Sequence, residues 1–574
     1  MRVLALFVGF TVMGCLLCPQ PLRSQNGQER LGAIVERVAA YEPYDRAAHP
    51  LGKHTEEVFD ARAKFAQTQL DSLMGIDRAA LSETEQISWE LLRFNLQNQV
   101  DAHRFKMHLN PILADQGFHL NLNYRIKPLL SDVDAERYLD LLRAIPNYVD
   151  EHLALIRKGL DLGISQPKVI FKGYAATYDT HRVNRPEDSA FYAPFLELPL
   201  SMDSDRKEAL AQEALKVIME KVVPSFERIK IFFETEYIPN TRTAIGVSET
   251  PNGTDFYQNR INYYTTDTQY TAEDIHTIGL GEVARIKGEM EDIIKRLDFK
   301  GSFADFLDFL RTDARFYAKT GDELLMHARD IAKRLDAELP KFFKTLPRRP
   351  YGVIKVPDAL APNYTSGRYS GPSSDTQPGY YLVNTHKLDS RPLYNLPALT
   401  AHEAVPGHHL QGSLNRELGD SIPQFRKNMY LSAYGEGWAL YTEFLGTEMG
   451  IYTTPYEEFG KLTYEMWRAC RLVVDTGIHA LGWTREEVVD YMMAHTALSQ
   501  HEVNTETDRY IAWPGQALSY KMGEIKIREL RQRAAEQLGA KFYVRDFHEV
   551  VLEQGTVTLP ILEARVAKYI NTHR

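Results

Sequence analysis

Residues 402–411 read His402-Glu403-Ala404-Val405-Pro406-Gly407-His408-His409-Leu410-Gln411. In an unbroken helix His408 stands six positions after His402, about 120° off its face, and His409 stands seven on, near the face but about 10 Å along the axis. Pro406 lacks the N–H that would bond to the carbonyl of His402, and Gly407 permits unusual dihedrals. The helix is therefore expected to break at Pro406-Gly407 and to return a later histidine toward His402. Looping out two residues puts His408 where a residue one turn on would sit. His408 is the expected partner of His402, with His409 as the alternative.

Two histidines one turn apart with a glutamate after the first are the pattern by which zinc hydrolases chelate their metal and place a general base. Glu403 is then the base. Only Cys15, Cys18 and Cys470 occur in the chain, two of them near the N-terminus, so no cysteine-rich metal site is available. Zinc must be held by histidine and carboxylate and needs a third protein ligand beside an open position.

Downstream, Tyr434-Gly435-Glu436-Gly437-Trp438-Ala439-Leu440-Tyr441-Thr442-Glu443 resembles the NEGFAxYxE helix of aminopeptidase N type gluzincins. That likeness implies Glu436 as the third ligand. Glu443, seven positions on along the same face, is expected behind the ligands, orienting a histidine. If His409 is not a ligand, it too stands behind them.

The blocks HEAVPGHHLQ (402–411), GEGWALYTE (435–443), DTGIHALGWT (475–484) and RYIAWPGQALSYKMGE (509–524), taken in order, resemble the bacterial domain of unknown function 885 family. The resemblance extends upstream through Pro251-Asn252-Gly253 and Glu273-Asp274-Ile275-His276. It implies a mainly α, zincin-like protein, often exported, with a cleft at the metal and a small β element beside it.

Around this centre the pattern is helical from about Glu29 to Lys344. Ser82 to Glu85, Thr271 to Asp274 and Thr484 to Glu487 read as capping boxes, and Ile275, Ile278, Val283, Ile286, Met290, Ile293 and Ile294 mark one buried helical face. Between Arg348 and Pro397 the composition shifts to Pro, Gly, Ser and Tyr, and 379–384 reads as a short strand. The expected organisation is one mostly helical unit over 27–574: a helical part to 347, a strand and loop element over 348–398, and metal-site helices over 399–574. The strand offers Tyr381 and Val383 as a substrate-binding edge. An oxyanion donor is expected in the last two blocks, with His479 and Tyr520 assigned to catalysis and Arg509 and Tyr510 to substrate binding.

The N-terminus reads as a signal peptide over 1–24, with Arg2 ahead of an apolar run from Val3 to Val12. Val12-Met13-Gly14-Cys15 resembles a lipobox that would make Cys15 a lipid anchor, whereas Leu22-Arg23-Ser24 offers ordinary cleavage. An extracytoplasmic location is expected on either route, periplasmic or membrane-anchored. Lys and Arg total 67 against 77 Asp and Glu, a net charge of −10, which argues against a nucleic-acid partner. The expected activity is Zn2+-dependent hydrolysis of a peptide or peptide-like substrate. Alternatives are an amidase or isopeptidase acting on cell-wall peptides, and a non-catalytic periplasmic binding lipoprotein.

Overall fold

Ser82, Thr271 and Thr484 each begin a helix in the computed structural model, with the side-chain hydroxyl and the N3 carboxylate exchanging hydrogen bonds with the backbone. The structure describes residues 22–574 except 115, 359–360, 362–363 and 375. Residues 1–21, and with them the lipobox and Cys15, lie outside the described residues.

The chain is mainly helical. Helix α1 (Ala272–Arg296) buries Ile275, Val283, Ile286, Met290, Ile293 and Ile294, the face expected from its periodicity apart from Ile278, which is only partly buried. Helix α2 (Gly321–Phe342) leads into three strands, β1 (Tyr351–Lys355), β2 (Gly367–Ser370) and β3 (Gly379–Val383). Helices α3 (Leu396–Glu403), α4 (His408–Arg416), α5 (Ser432–Glu448), α6 (Pro455–Ala480), α7 (Gln500–Ala512) and α8 (Ser519–Leu538) follow. No helix among the described residues is long and apolar enough to cross a membrane.

The sheet is ordered β1-β3-β2, with β1 parallel and β2 antiparallel to β3. The segment from 348 to 398 thus holds three strands where one is expected, and α3 already begins inside it. The strand at 379–383 is central, paired on both sides, so it offers no free edge. Its alternate side chains Tyr381 and Val383 are 0% and 1% exposed and join the core beneath α3. Both assigned substrate-binding residues of the strand are therefore core residues, and β2 is the edge that meets α3.

Two large apolar clusters organise the interior. One joins α1 and α6 to the N-terminal helices, and the other joins the sheet to α3, α5 and α8. Helices α5 and α8 cross closely because two glycines meet: a Cβ on Gly437 would fall 2.5 Å from the Cα of Gly523. This crossing fixes the axis of α5 one residue from Glu436. Trp438 and Cys470 are fully buried, as a packing role requires, and burial pushes the Cys470 thiol well up, which leaves it inert.

Candidate metal centre

Helix α3 stops at Glu403 and α4 starts at His408. Ala404 (φ −95°, ψ −114°) and Gly407 (φ −75°, ψ −130°) take the chain out of helical geometry between them. The return is so tight that a Cβ on Gly407 would sit 1.9 Å from the carbonyl oxygen of His402. Only glycine fits there, and the result is that the His402 and His408 rings meet edge to face with centroids 4.8 Å apart and planes at 88°.

Helix α5 is tied across this break. Thr442 Oγ1 donates to the Ala401 carbonyl at 3.0 Å, and Trp438 Nε1 donates to the Pro406 carbonyl at 2.9 Å. Those anchors carry Glu436 to the two histidines. Its Oε2 lies 3.5 Å from His402 Nε2 and 3.4 Å from His408 Nε2, and the three donor atoms all fall within 4.8 Å of one another. Separations of 3.4–3.5 Å exceed those of a good N–H···O hydrogen bond, about 2.7–3.2 Å. They match the edge of a zinc tetrahedron with bonds of about 2.0–2.1 Å, which is about 3.4 Å.

The surroundings also suit a divalent cation. His402 Nδ1 donates to Glu443 Oε1 at 2.7 Å, and Tyr430 donates its hydroxyl proton to Glu436 Oε1 at 2.6 Å. Three carboxylates, Glu403, Glu436 and Glu443, surround two imidazoles, and Arg468 lies 3.9 Å from Glu443 Oε1. Burial pulls the His402 pKa down, but Glu436, Glu443 and Glu403 outweigh it and raise it to about 10. Burial works to raise Glu436, but the two histidines hold it well below the usual carboxylate range. Tyr430 is 55% exposed as a residue, but desolvation of its hydroxyl end against Glu436, together with the Glu436 charge, pushes the phenol well up, so it stays a donor.

Glu403 closes α3 beside the cluster. Its Oε2 accepts the backbone N–H of Tyr369 at 2.7 Å, from the outer edge of β2. This single bond ties the expected base to the open strand.

The family of bacterial proteins of unknown function, DUF885, matches residues 38–566. The chain belongs to this family. A search of curated proteins finds no match. Among solved structures, the "putative lipoprotein" of Colwellia psychrerythraea is 26% identical with a TM-score of 0.85, over 96% of this chain and 97% of that one. The "putative lipoprotein of unknown function" of Shewanella oneidensis, at 18% identity and a TM-score of 0.64, covers 94% of this chain and 98% of its own and shares the fold.

In this DUF885 chain the remaining assigned residues fall in different places. His409 turns to the sheet: its Nε2 donates to the Arg349 carbonyl at 3.1 Å, its Nδ1 accepts from the Tyr369 hydroxyl at 3.2 Å, and burial lowers its pKa to about 4. It anchors α4 to β2 and is not a member of the donor cluster. His479 does not reach the centre either. Its Nε2 donates to the Tyr510 carbonyl at 3.0 Å and its Nδ1 accepts from the Val247 N–H at 3.3 Å, so both nitrogens are committed to backbone.

Tyr510 is 1% exposed, and its hydroxyl accepts from Trp467 Nε1 at 2.8 Å and Arg471 Nε at 2.9 Å. Arg509 is held by Glu506 at 3.1 Å and by Gln516 at 2.5 Å. Packing of α7 against α6 employs Tyr510, and Arg509 is engaged within α7 and by Gln516. Tyr520 is half-buried, stacked under the Arg471 guanidinium at 4.4 Å, and close enough to Tyr430 to add to the field that raises its pKa. Of the four residues assigned from the last two blocks, it is the one beside the cluster. Tyr430, Tyr369 and Arg468 belong to the site and were not singled out by the sequence.

Proposed function

We propose that the protein is an exported, zincin-like, zinc-dependent hydrolase of peptide bonds. The observation that carries this is the convergence of His402 Nε2, His408 Nε2 and Glu436 Oε2 next to Glu403. Three protein donors are the number found at catalytic zinc, which keeps a position for water or substrate. Zinc bound there would polarise a scissile carbonyl and make water acidic enough to attack at neutral pH.

The chain's own residues do the rest. The N–H of Tyr369 steadies Glu403 Oε2 and leaves Oε1 to take a proton from water and pass it to the leaving amine nitrogen. Glu443 fixes the His402 tautomer with the proton on Nδ1, which turns the Nε2 lone pair toward Glu436 and His408. Tyr430 binds Glu436 Oε1 and so presents Oε2 to the histidines. Tyr520 is assigned to the developing oxyanion.

The leader with Cys15, and the description of the Colwellia neighbour, support an envelope location and a lipid anchor. That location makes cross-linked cell-wall peptides the second substrate class, with the same centre acting as an amidase. The test is hydrolysis of linear fluorogenic peptides and of muropeptides by zinc-loaded protein. Glu403→Gln should keep its zinc and lose at least about 100-fold in kcat. Undiminished turnover in that variant would remove Glu403 from the mechanism.

A further inference from the structure

A cavity of about 240 Å³ opens one helical turn upstream of the cluster. It is smaller than the roughly 300–1,000 Å³ of sites for drug-sized ligands, and so fits one residue of a chain. Tyr394, Leu396, Leu399 and Leu498 form apolar walls, and Ser366, Arg311, Arg391 and Glu502 add polar groups.

Two elements run from this cavity to Glu403. Leu396, Leu399 and Glu403 share a face of α3 at steps of three and four, with Leu399 about 6 Å along the axis from Glu403. Ser366 immediately precedes β2, and Tyr369, whose N–H holds Glu403, lies three residues on, about 10 Å away. A peptide laid along this edge with its scissile bond at Glu403 puts a residue about two or three positions away into the cavity.

The cavity's polar chemistry is that of an unsatisfied donor. Arg391 Nη1 donates to Ser366 Oγ at 2.9 Å and forms an ion pair with Glu502 Oε1 at 3.7 Å, a separation too long for a hydrogen bond. Both contacts use Nη1, while Nε is buried with no acceptor among the described residues. Arg311, held by Asp308 at 3.0 Å and by the Thr496 carbonyl, likewise has a buried Nε without an acceptor. Glu502 is occupied through Oε2 in capping Ser499, and Asp389 stands at the exposed rim. Arg391 Nε has no accessible surface and does not face the cavity; Nη2, which makes no hydrogen bond among the described residues, is the guanidinium donor left to a carboxylate through a charge-assisted hydrogen bond.

We infer that this cavity is a substrate subsite that recognises a carboxylate, with Arg391 as the specificity-determining residue and the apolar walls gripping the side chain. The inference rests on the peptide-hydrolase reading. The carboxylate is the C-terminus of a short peptide or an acidic side chain, and the experiment separates the two.

Calorimetry on the zinc-loaded Glu403→Gln chain compares three acetylated tetrapeptides. One ends in a free acid, one is its amide, and one is the amide with Glu as its last residue. The free acid should bind at least about tenfold more tightly than the amide. Recovery of affinity by the Glu peptide assigns the subsite to acidic side chains, and no recovery assigns it to a C-terminus. Adding Arg391→Gln should abolish the preference. Equal affinity for all three peptides overturns the subsite even if Arg391→Gln fails to fold, because that comparison needs no change at Arg391. Cleavage by the unmutated chain without any such preference overturns the subsite alone. A preference without cleavage overturns the hydrolase and leaves the carboxylate site.

Discussion

Glu443 Oε1 lies 2.7 Å from His402 Nδ1, and the two residues meet at the crossing of α5 over α3. Glu443 is 1% exposed, so the contact is a buried, charge-assisted hydrogen bond. It sets which nitrogen of His402 carries the proton and how its ring is turned. Glu443→Ala should weaken zinc binding by about 10–100-fold, read by competition with a chromophoric chelator. Unchanged affinity would mean that the helix break alone orients His402.

Gly407 tests that break. Any Cβ there runs into the His402 carbonyl, so Gly407→Ala must push α4 away from α3. The expected cost is roughly 1–3 kcal/mol of stability, with a larger relative loss of zinc affinity because the His402–His408 spacing opens. Urea midpoints and zinc titration on the same preparation check both.

His479 should behave as part of the core. Burial lowers its pKa from the ordinary 6.5 to about 3, only partly opposed by the Tyr510 carbonyl. Above pH 6.5 both folded and unfolded chains keep the ring neutral. As pH falls from 6.5 toward 3 the unfolded chain gains a proton that the folded chain refuses, so stability drops. His479→Gln should cost about 1–3 kcal/mol at pH 7, lessen the loss between pH 6.5 and 4 by one histidine's share, since His119, His152 and His548 are lowered in the same way, and leave turnover per folded molecule unchanged. Urea denaturation across that range reads the first two effects; a large fall in kcat would return His479 to catalysis.

The parts legible in the sequence are those decided locally. A capping box needs residues three apart, so Ser82, Thr271 and Thr484 announce their helices. The break at Pro406-Gly407 follows from a missing N–H and a missing Cβ, and it already favours His408 over His409. Strand β1 is hidden because its pairing partner β3 is distant in sequence, and β2, though close to β3, because it lies in a Pro- and Gly-rich stretch. Tyr369 acts through its backbone N–H, which no side-chain motif can report, and Tyr430 reaches Glu436 from a loop outside the recognised block. Conversely, His479 and Tyr510 stand in blocks as distinctive as those of His402, His408 and Glu436, yet those blocks build the packing of α6 on α7.

The most direct measurement is the zinc content of the purified chain and of single alanine variants at His402, His408, His409 and Glu436. The account predicts about one zinc per chain in the unmutated protein and in His409→Ala, and loss of zinc in the other three. Zinc retained by His408→Ala but lost by His409→Ala would contradict it.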